Sequence, residues 1–533
     1  MRMRTVPPSM TVTCPRRRGE LRVSGRYEWA LGAVCLVLAV KTGLIAQPGP
    51  KQQPITRLEC VTTALLSNRD LQVEQLNPGL MRAILSAAYG VYDPLLLAEG
   101  RWENSTDRGG FDPADFSRDA IYDASSDIAK AGLMGLLPSG LTYSLTADYA
   151  NSSGERNFSN FDSYKITAGV LLRQPLLKNF WIDQARFTVR VNRRNLNISE
   201  LGVRFMVMDV VTRVQCAYFE LRQAHEQLRV QQELLESRRQ MLHAVQRQLQ
   251  EGFATLPDEH LAKAQVAATE ASVSGARAAV ALAENALRTH LGDSFTNQVD
   301  TSLFPAEELR LPPASLDLAD RWHRGLAERP DLLQFRQELA KANLEIKFRR
   351  NQLFPAIDVI GSYGRKGASV SDDLLPPEPP ASAGAAWGQM ADGVAPSDMV
   401  GVVFTMPLSR AVERANYRAS KQLRAQVEVR LKQKEELVLR EISDAFHTAR
   451  TSLDRAHASR RGVESARAAF QAEERRLAGG KSTLLLVLQL QDQLTNLEAA
   501  AIRAEADYNL ALSQLGFADG SALEQAGVWM DAP

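Results

Sequence analysis

An apolar residue recurs at every seventh position from Val214 to Leu249, within one long stretch of the chain that runs from Ile182 to Glu251. This spacing keeps an apolar seam facing a neighbouring helix along its whole length. Because proline is absent from the stretch, nothing interrupts the helical hydrogen bonds. At about 1.5 Å per residue it predicts a rod roughly 100 Å long, and Arg410 to Leu477 predicts a second one. The seam residues are Val214, Leu221, Leu228, Leu235, Leu242 and Leu249.

The N-terminal 46 residues have the composition of a secretory signal peptide. Several arginines precede an apolar run, Trp29 to Val40, and Leu44-Ile45-Ala46 supplies a cleavage site before Gln47. An N-terminal anchor helix is the alternative, although the run is shorter than the roughly 20 residues of a membrane span. No later run approaches that length. The mature chain is therefore either soluble or crosses a membrane as β-strands.

Charge and motifs exclude several classes of protein. The chain has 63 Lys and Arg against 62 Asp and Glu, which gives no support for nucleic-acid binding. Its cysteines and histidines have no ligand spacing, so we predict neither a metal nor another cofactor. No known catalytic motif occurs, and we predict that the protein is not an enzyme.

The two halves of the chain are copies of each other. Asp70 corresponds to Asp331, and Pro94 to Pro355, in a constant register. Each half predicts the order helix, strand, loop, strand and two long helices. The predicted boundaries are a signal peptide at 1–46, a first repeat at 47–292, a linker or equatorial segment at 293–321, a second repeat at 322–516 and a C-terminal tail at 517–533.

Four segments of about 8–11 residues have the length of tilted transmembrane strands. We interpret the insertion Glu103 to Asp162 as a surface loop, because it is rich in Gly, Ser, Asp and Asn. Gly140–Tyr149 also alternates, but a single extra crossing would leave the next helix on the wrong side, so we place it outside the membrane or in the loop. We also predict two helices from Leu58 to Tyr89 that meet at Asn77-Pro78-Gly79. The predicted strands are Leu95–Trp102, Ser163–Arg173, Ala356–Tyr363 and Met399–Met406.

Four prolines mark the predicted junctions between helix and strand. Proline cannot continue a helix and disfavours helical geometry in the residue before it. Four strands are too few to close a membrane barrel, and an open sheet edge cannot face lipid. Several chains would therefore pool their strands, and their long helices would form a continuous tube. The junction residues are Pro94, Pro175, Pro355 and Pro407.

From Leu58 to Gly516 the ordered set of motifs, present twice, resembles the TolC-like outer-membrane efflux proteins. The motifs are Asn68-Arg69-Asp70-Leu71 and Glu328-Arg329-Pro330-Asp331-Leu332, the run Arg173-Gln174-Pro175-Leu176-Leu177, and the turns Glu251-Gly252-Phe253-Ala254-Thr255 and Gly479-Gly480-Lys481-Ser482-Thr483.

The resemblance implies a mostly α protein with membrane β-strands, assembled as a homotrimer. It implies a twelve-stranded β-barrel in the outer membrane and a twelve-helix tunnel through the periplasm. The chain would be a passive export channel that docks a periplasmic membrane-fusion adaptor and, through it, an inner-membrane pump. The alternative is a soluble coiled-coil scaffold without a membrane barrel.

The resemblance also assigns the two glycine turns to the periplasmic tip. Glycine stops a helix where a left-handed conformation is needed, and this alone would account for Gly252 and Gly480. The docking hypothesis adds contact with the adaptor, and the resemblance further implies an entrance gate, which would be formed here by Asp258 and Lys481. The predicted docking residues are Gly252, Phe253, Ala254, Thr255, Gly480, Lys481, Ser482 and Thr483.

Overall fold

A computed structural model describes most of the chain after its N-terminal segment. The predicted signal peptide and Phe253 lie outside the described residues. The described residues are 51–112, 117–156, 159–252, 254–292, 301–309, 311–312, 317–372 and 380–528.

The described residues contain eight strands, β1 (Lys51–Ile55), β2 (Leu95–Asp112), β3 (Ser117–Leu136), β4 (Thr142–Arg156), β5 (Ser159–Pro175), β6 (Thr301–Pro305), β7 (Ala356–Asp372) and β8 (Ala395–Thr405). Six of them form one antiparallel sheet in the order β2-β3-β4-β5-β7-β8, and β1 pairs in parallel with β6 in a separate two-stranded sheet. The second sheet uses part of the predicted linker.

The prediction of four sheet strands was wrong, because the insertion Glu103 to Asp162 contains β3 and β4 instead of a surface loop. Gly140–Tyr149 accordingly lies largely in β4, and its interpretation as a loop was also wrong. A pair of added strands returns the chain to the end from which it started, so the next helix emerges on the same side. Polar residues did not prevent pairing here: the hydroxyls of Ser126 and Ser152 lie 2.8 Å apart across β3 and β4.

The two long helices are confirmed, and each ends within two residues of its predicted C-terminus. The first has 67 residues, which is about 100 Å at 1.5 Å per residue. The helices are α1 (Arg57–Ser67), α2 (Arg69–Tyr89), α3 (Gln184–Gln250), α4 (Leu256–Leu291), α5 (Leu318–Glu328), α6 (Pro330–Asn351), α7 (Ala383–Asp392), α8 (Ala411–Ala478), α9 (Leu484–Asp519) and α10 (Ala522–Ala526).

The break between the first two helices lies at Asn68, so its predicted place at Asn77-Pro78-Gly79 was wrong. The Asn68 side chain accepts a hydrogen bond from the Leu71 amide at 3.1 Å and donates one to the His290 carbonyl at 2.9 Å. This capping side chain starts α2. Pro78 is buried inside α2, where it removes one donor without ending the helix.

The largest apolar core packs α1 and α4 against the middle of α3. Val214 and Leu221, two residues of the predicted seam, are fully buried there. From Leu228 towards the end of α3 the seam is half-buried. In the part of the chain that the structure describes, no helix combines the length and apolar character needed to cross a membrane.

Candidate functional site

The first helical tip is a tight turn between α3 and α4. Gly252 has φ +81°, and its amide donates to the Leu249 carbonyl at 3.2 Å. The Ala254 amide donates to the Gln248 carbonyl at 3.2 Å, which completes the helix stop. Among the described residues, no heavy atom outside the adjoining chain lies within 4 Å of a Cβ built at Gly252. Glycine is therefore required here by backbone conformation and not by lack of space.

Thr255 and Asp258 form a capping box at the start of α4. The Asp258 carboxylate accepts from the Thr255 hydroxyl at 2.5 Å and from the Thr255 amide at 3.0 Å. These two hydrogen bonds lower the pKa of the Asp258 carboxyl, the hydroxyl more than the amide. The acidic side chain also lies at the positive end of the helix dipole.

The second tip, between α8 and α9, has the same backbone but different side-chain contacts. Gly480 has φ +70°, and its amide donates to the Leu477 carbonyl at 2.9 Å. Ser482 donates through its hydroxyl to Glu473, which also pairs with Arg476 at 3.0 Å. Thr483 precedes α9 and makes no side-chain capping bond.

The structure does not join the two predicted gate residues within one chain. The Asp258 carboxylate is bonded to Thr255 of its own tip. Lys481 forms no ion pair among the described residues, and its amide donates to the Arg476 carbonyl at 2.9 Å. The gate therefore stays a prediction.

The sequence reasoning missed Arg238, which joins three helices twelve residues before the end of α3. Its side chain is 2% exposed, donates to Gln265 of α4 at 2.6 Å and pairs with Asp492 of α9. A signal was available: Arg238 lies in the heptad row that runs beside the seam. This row is Ala217, Ala224, Gln231, Arg238 and Val245.

All four predicted junction prolines lie at strand ends. Pro94 and Pro355 each directly precede a strand, Pro175 ends β5, and Pro407 lies between β8 and α8. Next to these ends, Arg173 of β5 donates to Asp358 of β7 through its Nε at 2.9 Å. The pair ties the two halves of the chain together where the sheet meets the helices.

The sheet has two chemically different faces. Neighbouring residues of a strand point to opposite faces, and the register of the strands assigns each residue to one of them. One face, which we call the apolar face, carries no charged residue in the seven positions of each strand nearest the helices. Charges within that band lie on the opposite face, at Glu99, Arg101, Lys130, Asp148, Arg173 and Asp358.

A model of the outer membrane efflux protein family matches residues 122–293 and 323–521, which is more than half of the chain. The chain belongs to the outer membrane efflux protein family. It is 25% identical over 374 residues to the outer membrane efflux protein BepC of Brucella suis biovar 1 (strain 1330), covering 69% of this chain and 74% of that one.

Solved structures of channels have the same fold. The outer-membrane channel OprN superposes with a TM-score of 0.61 at 18% identity, over 87% of this chain and 90% of that one. The outer membrane channel CmeC of Campylobacter jejuni gives a TM-score of 0.60 at 15% identity, over 87% and 86%.

This outer membrane efflux protein is a channel of the outer membrane, with long helices that extend into the periplasm. The predicted family, transport function and location are confirmed, and the coiled-coil scaffold is not favoured. The family's role is transport, which points to a non-enzymatic function.

Proposed function

We propose that three copies of this chain close a single barrel and form a passive export duct. The observation that carries the proposal is the six-stranded sheet with two open edges, β2 and β8. Because all six strands alternate in direction, these two edges run in opposite directions. The β8 strand of one copy can then pair in antiparallel fashion with β2 of the next.

Exposed apolar side chains on both edge strands fit a sheet whose apolar face contacts lipid. Leu96 and Trp102 of β2 are 76% and 67% exposed, and Val400 of β8 is 84% exposed. Three sheets of six strands would give 18 strands in place of the twelve predicted from four strands per chain. The trimer itself is taken from the resemblance to TolC-like channels.

The two faces of the sheet set its orientation in the bilayer. We assign the apolar face to the lipid and the charged face to the lumen, as in other membrane barrels. On the apolar face, the uncharged part ends at Trp102, Tyr149 and Tyr363. Each of these residues is seven positions from the end of its strand that lies nearest the helices. Aromatic residues at that depth match the girdle that borders the hydrocarbon.

At the opposite end we assign the two tips to the docking of a periplasmic adaptor, which would connect the duct to an inner-membrane pump. Ala254→Glu and Lys481→Glu change the tip surface without requiring a new backbone conformation. We expect them to abolish export while trimers remain in the membrane. Gly275→Glu is the matched control. It lies in α4 away from the tip, and no heavy atom of the described residues lies within 4 Å of its Cβ position.

The assembly is tested by fractionating expressing cells, sequencing the N-terminus of the product and measuring its size in mild detergent. We expect a chain processed near Gln47, in the outer membrane and three copies in size. An uncleaved cytosolic chain would refute the proposal. Reversing the charge of Asp258 tests the gate separately, and unchanged single-channel conductance would remove Asp258 and Lys481 from it.

A further inference from the structure

Helix α7 lies between β7 and β8 in the chain and folds back onto strands β5 and β7 of the sheet. Ala386 is fully buried and Met390 is 9% exposed, and both pack on Ile166 with Tyr149 and Tyr164 beside them. These three sheet residues all point to the apolar face. The helix therefore covers part of the surface that we assign to the lipid side.

Close backbone contact fixes α7 in this position. A Cβ atom at Gly367 would lie 1.9 Å from the Ala386 carbonyl oxygen, so the helix reaches the sheet only because residue 367 is glycine. The Ala368 amide donates to the Gln389 side chain at 3.2 Å. The helix ends at Gly393, which has φ +71°.

An open groove of about 610 Å³ begins under the C-terminal end of α7 and runs over the apolar face. It crosses β3, β4, β5 and β7 and leaves the edge strands β2 and β8 free. Its size lies within the roughly 300–1,000 Å³ of sites for small apolar molecules. The lining includes the side chains of Leu133, Leu145, Ala147, Val170 and Tyr363 on the apolar face of the sheet and of Met390 on α7.

A single cationic side chain, Arg365, is among the residues that line the groove. Arg365 is nine residues from the start of β7 and two residues beyond Tyr363, where the uncharged part of the apolar face ends. Its guanidinium donates to the Ala391 carbonyl at 2.9 Å and makes no ion pair among the described residues. A guanidinium has five N–H donors, so donors remain for an anion. The α7 residue Trp387 is 58% exposed, and tryptophan is enriched at the interface between membrane and water.

We propose that this groove binds an acyl chain of a phosphate-bearing lipid of the outer leaflet, with the phosphate on Arg365. The inference rests on the proposed assignment of the apolar face to the lipid. The groove is continuous with that face, so an acyl chain enters it without leaving the hydrocarbon. The cation lies at the end farther from the helices, where headgroups of the outer leaflet lie, and guanidinium groups pair well with phosphate.

The test counts the phospholipid or other phosphate-bearing lipid that co-purifies with the trimer, by native mass spectrometry after extraction in mild detergent. We expect the wild-type trimer to retain one such lipid for each protomer. Arg365→Gln should retain about tenfold less, because one charged hydrogen-bonded contact is lost. Ala147→Phe fills the groove at a position two strands away from Arg365 and leaves the cation in place, so it should lose the lipid as well.

The matched control is Lys366→Gln, the neighbouring cation of β7 on the charged face of the sheet. It should retain as much lipid as the wild-type protein. Trimers that carry no phosphate-bearing lipid, or variants that keep the wild-type amount, would overturn this inference and leave the duct intact. A chain that is absent from the outer membrane or not oligomeric would overturn the duct and this inference together.

Discussion

Asp331 offers a sharp test of how the second repeat is held together, because its carboxylate neutralises two cations inside the helical region. The Arg329 guanidinium, which is 3% exposed, donates two hydrogen bonds of 2.7 and 3.0 Å to this carboxylate. Lys434 of α8 pairs with it at 2.8 Å. Glu441 of α8 also pairs with Arg329 at 2.6 Å. We expect Asp331→Asn to leave Arg329 and Lys434 without this shared anion.

The size of the effect follows from burial. Removing one partner of a buried ion pair costs about 3–5 kcal/mol. Glu441 still compensates Arg329 in the variant, so we expect the lower end, about 3 kcal/mol. Since about 1.4 kcal/mol is a factor of ten, amides of α6 that exchange through local opening should exchange about 100-fold faster.

The measurement is hydrogen–deuterium exchange of the α6 and α8 peptides in the intact trimer. Asp70→Asn is the control that the repeat provides, because Asp70 occupies the corresponding position of the first half and is exposed. Its effect should lie within about 0.5 kcal/mol. Equal effects of the two substitutions, or no effect of Asp331→Asn, would refute the reasoning.

The same carboxylate sets a pH dependence. Burial alone would raise the pKa of Asp331, but the hydrogen bonds and charges of Arg329 and Lys434 outweigh it and lower the pKa below the ordinary value. A lowered folded-state pKa gives stability that is present above the unfolded pKa of about 3.9 and is lost as the pH falls through the folded value. Asp331→Asn should remove this acid-dependent loss from the α6 peptides.

Three further substitutions test other contacts. Asp492→Ala leaves the buried Arg238 guanidinium with fewer partners, at a cost of roughly 1–3 kcal/mol, and should speed hydrogen exchange in α3 by about 5- to 150-fold. The control Glu270→Ala breaks the exposed 2.8 Å pair with neighbouring Arg239 and should cost less than about 1 kcal/mol. A larger effect of Glu270→Ala than of Asp492→Ala would contradict the argument. Gly367→Ala should release α7 and expose the chain at Trp387 to chymotrypsin. Gly401→Ala should not, because its Cβ would meet no heavy atom of the described residues within 4 Å; equal cleavage would count against the close contact. Thr255→Ala removes the hydrogen bond that lowers the pKa of Asp258 most, so on acidification the tip should begin to lose its protection against hydrogen exchange at a higher pH. The measurement is the exchange of the amides in the first turn of α4, corrected for the intrinsic rate at each pH. An unchanged pH midpoint for this loss of protection would refute the prediction.

Much of this fold is determined by local patterns in the sequence. The seven-residue spacing and the absence of proline determine α3, because helix formation depends on neighbours three and four residues away. The left-handed turns at Gly252 and Gly480 are likewise local, since only the backbone of the glycine is involved. The four junction prolines at the strand ends are also local signals, because proline restricts its own backbone and that of the residue before it. The capping box of Thr255 and Asp258 can also be read from four consecutive positions.

Tertiary structure decided what depends on distant partners. Strands β3 and β4 were missed because Asp and Ser favour loops locally, and only pairing with β2 and β5 satisfies their backbones in a sheet. The Asn68 side chain caps α2 locally through the Leu71 amide, and its second bond, to the His290 carbonyl 222 residues away, depends on the tertiary fold. The burial of Arg238 likewise depends on Gln265 and Asp492 on two other helices. Local sequence therefore determined the rods and their turns, while long-range contacts decided how many strands pair and which charges are buried.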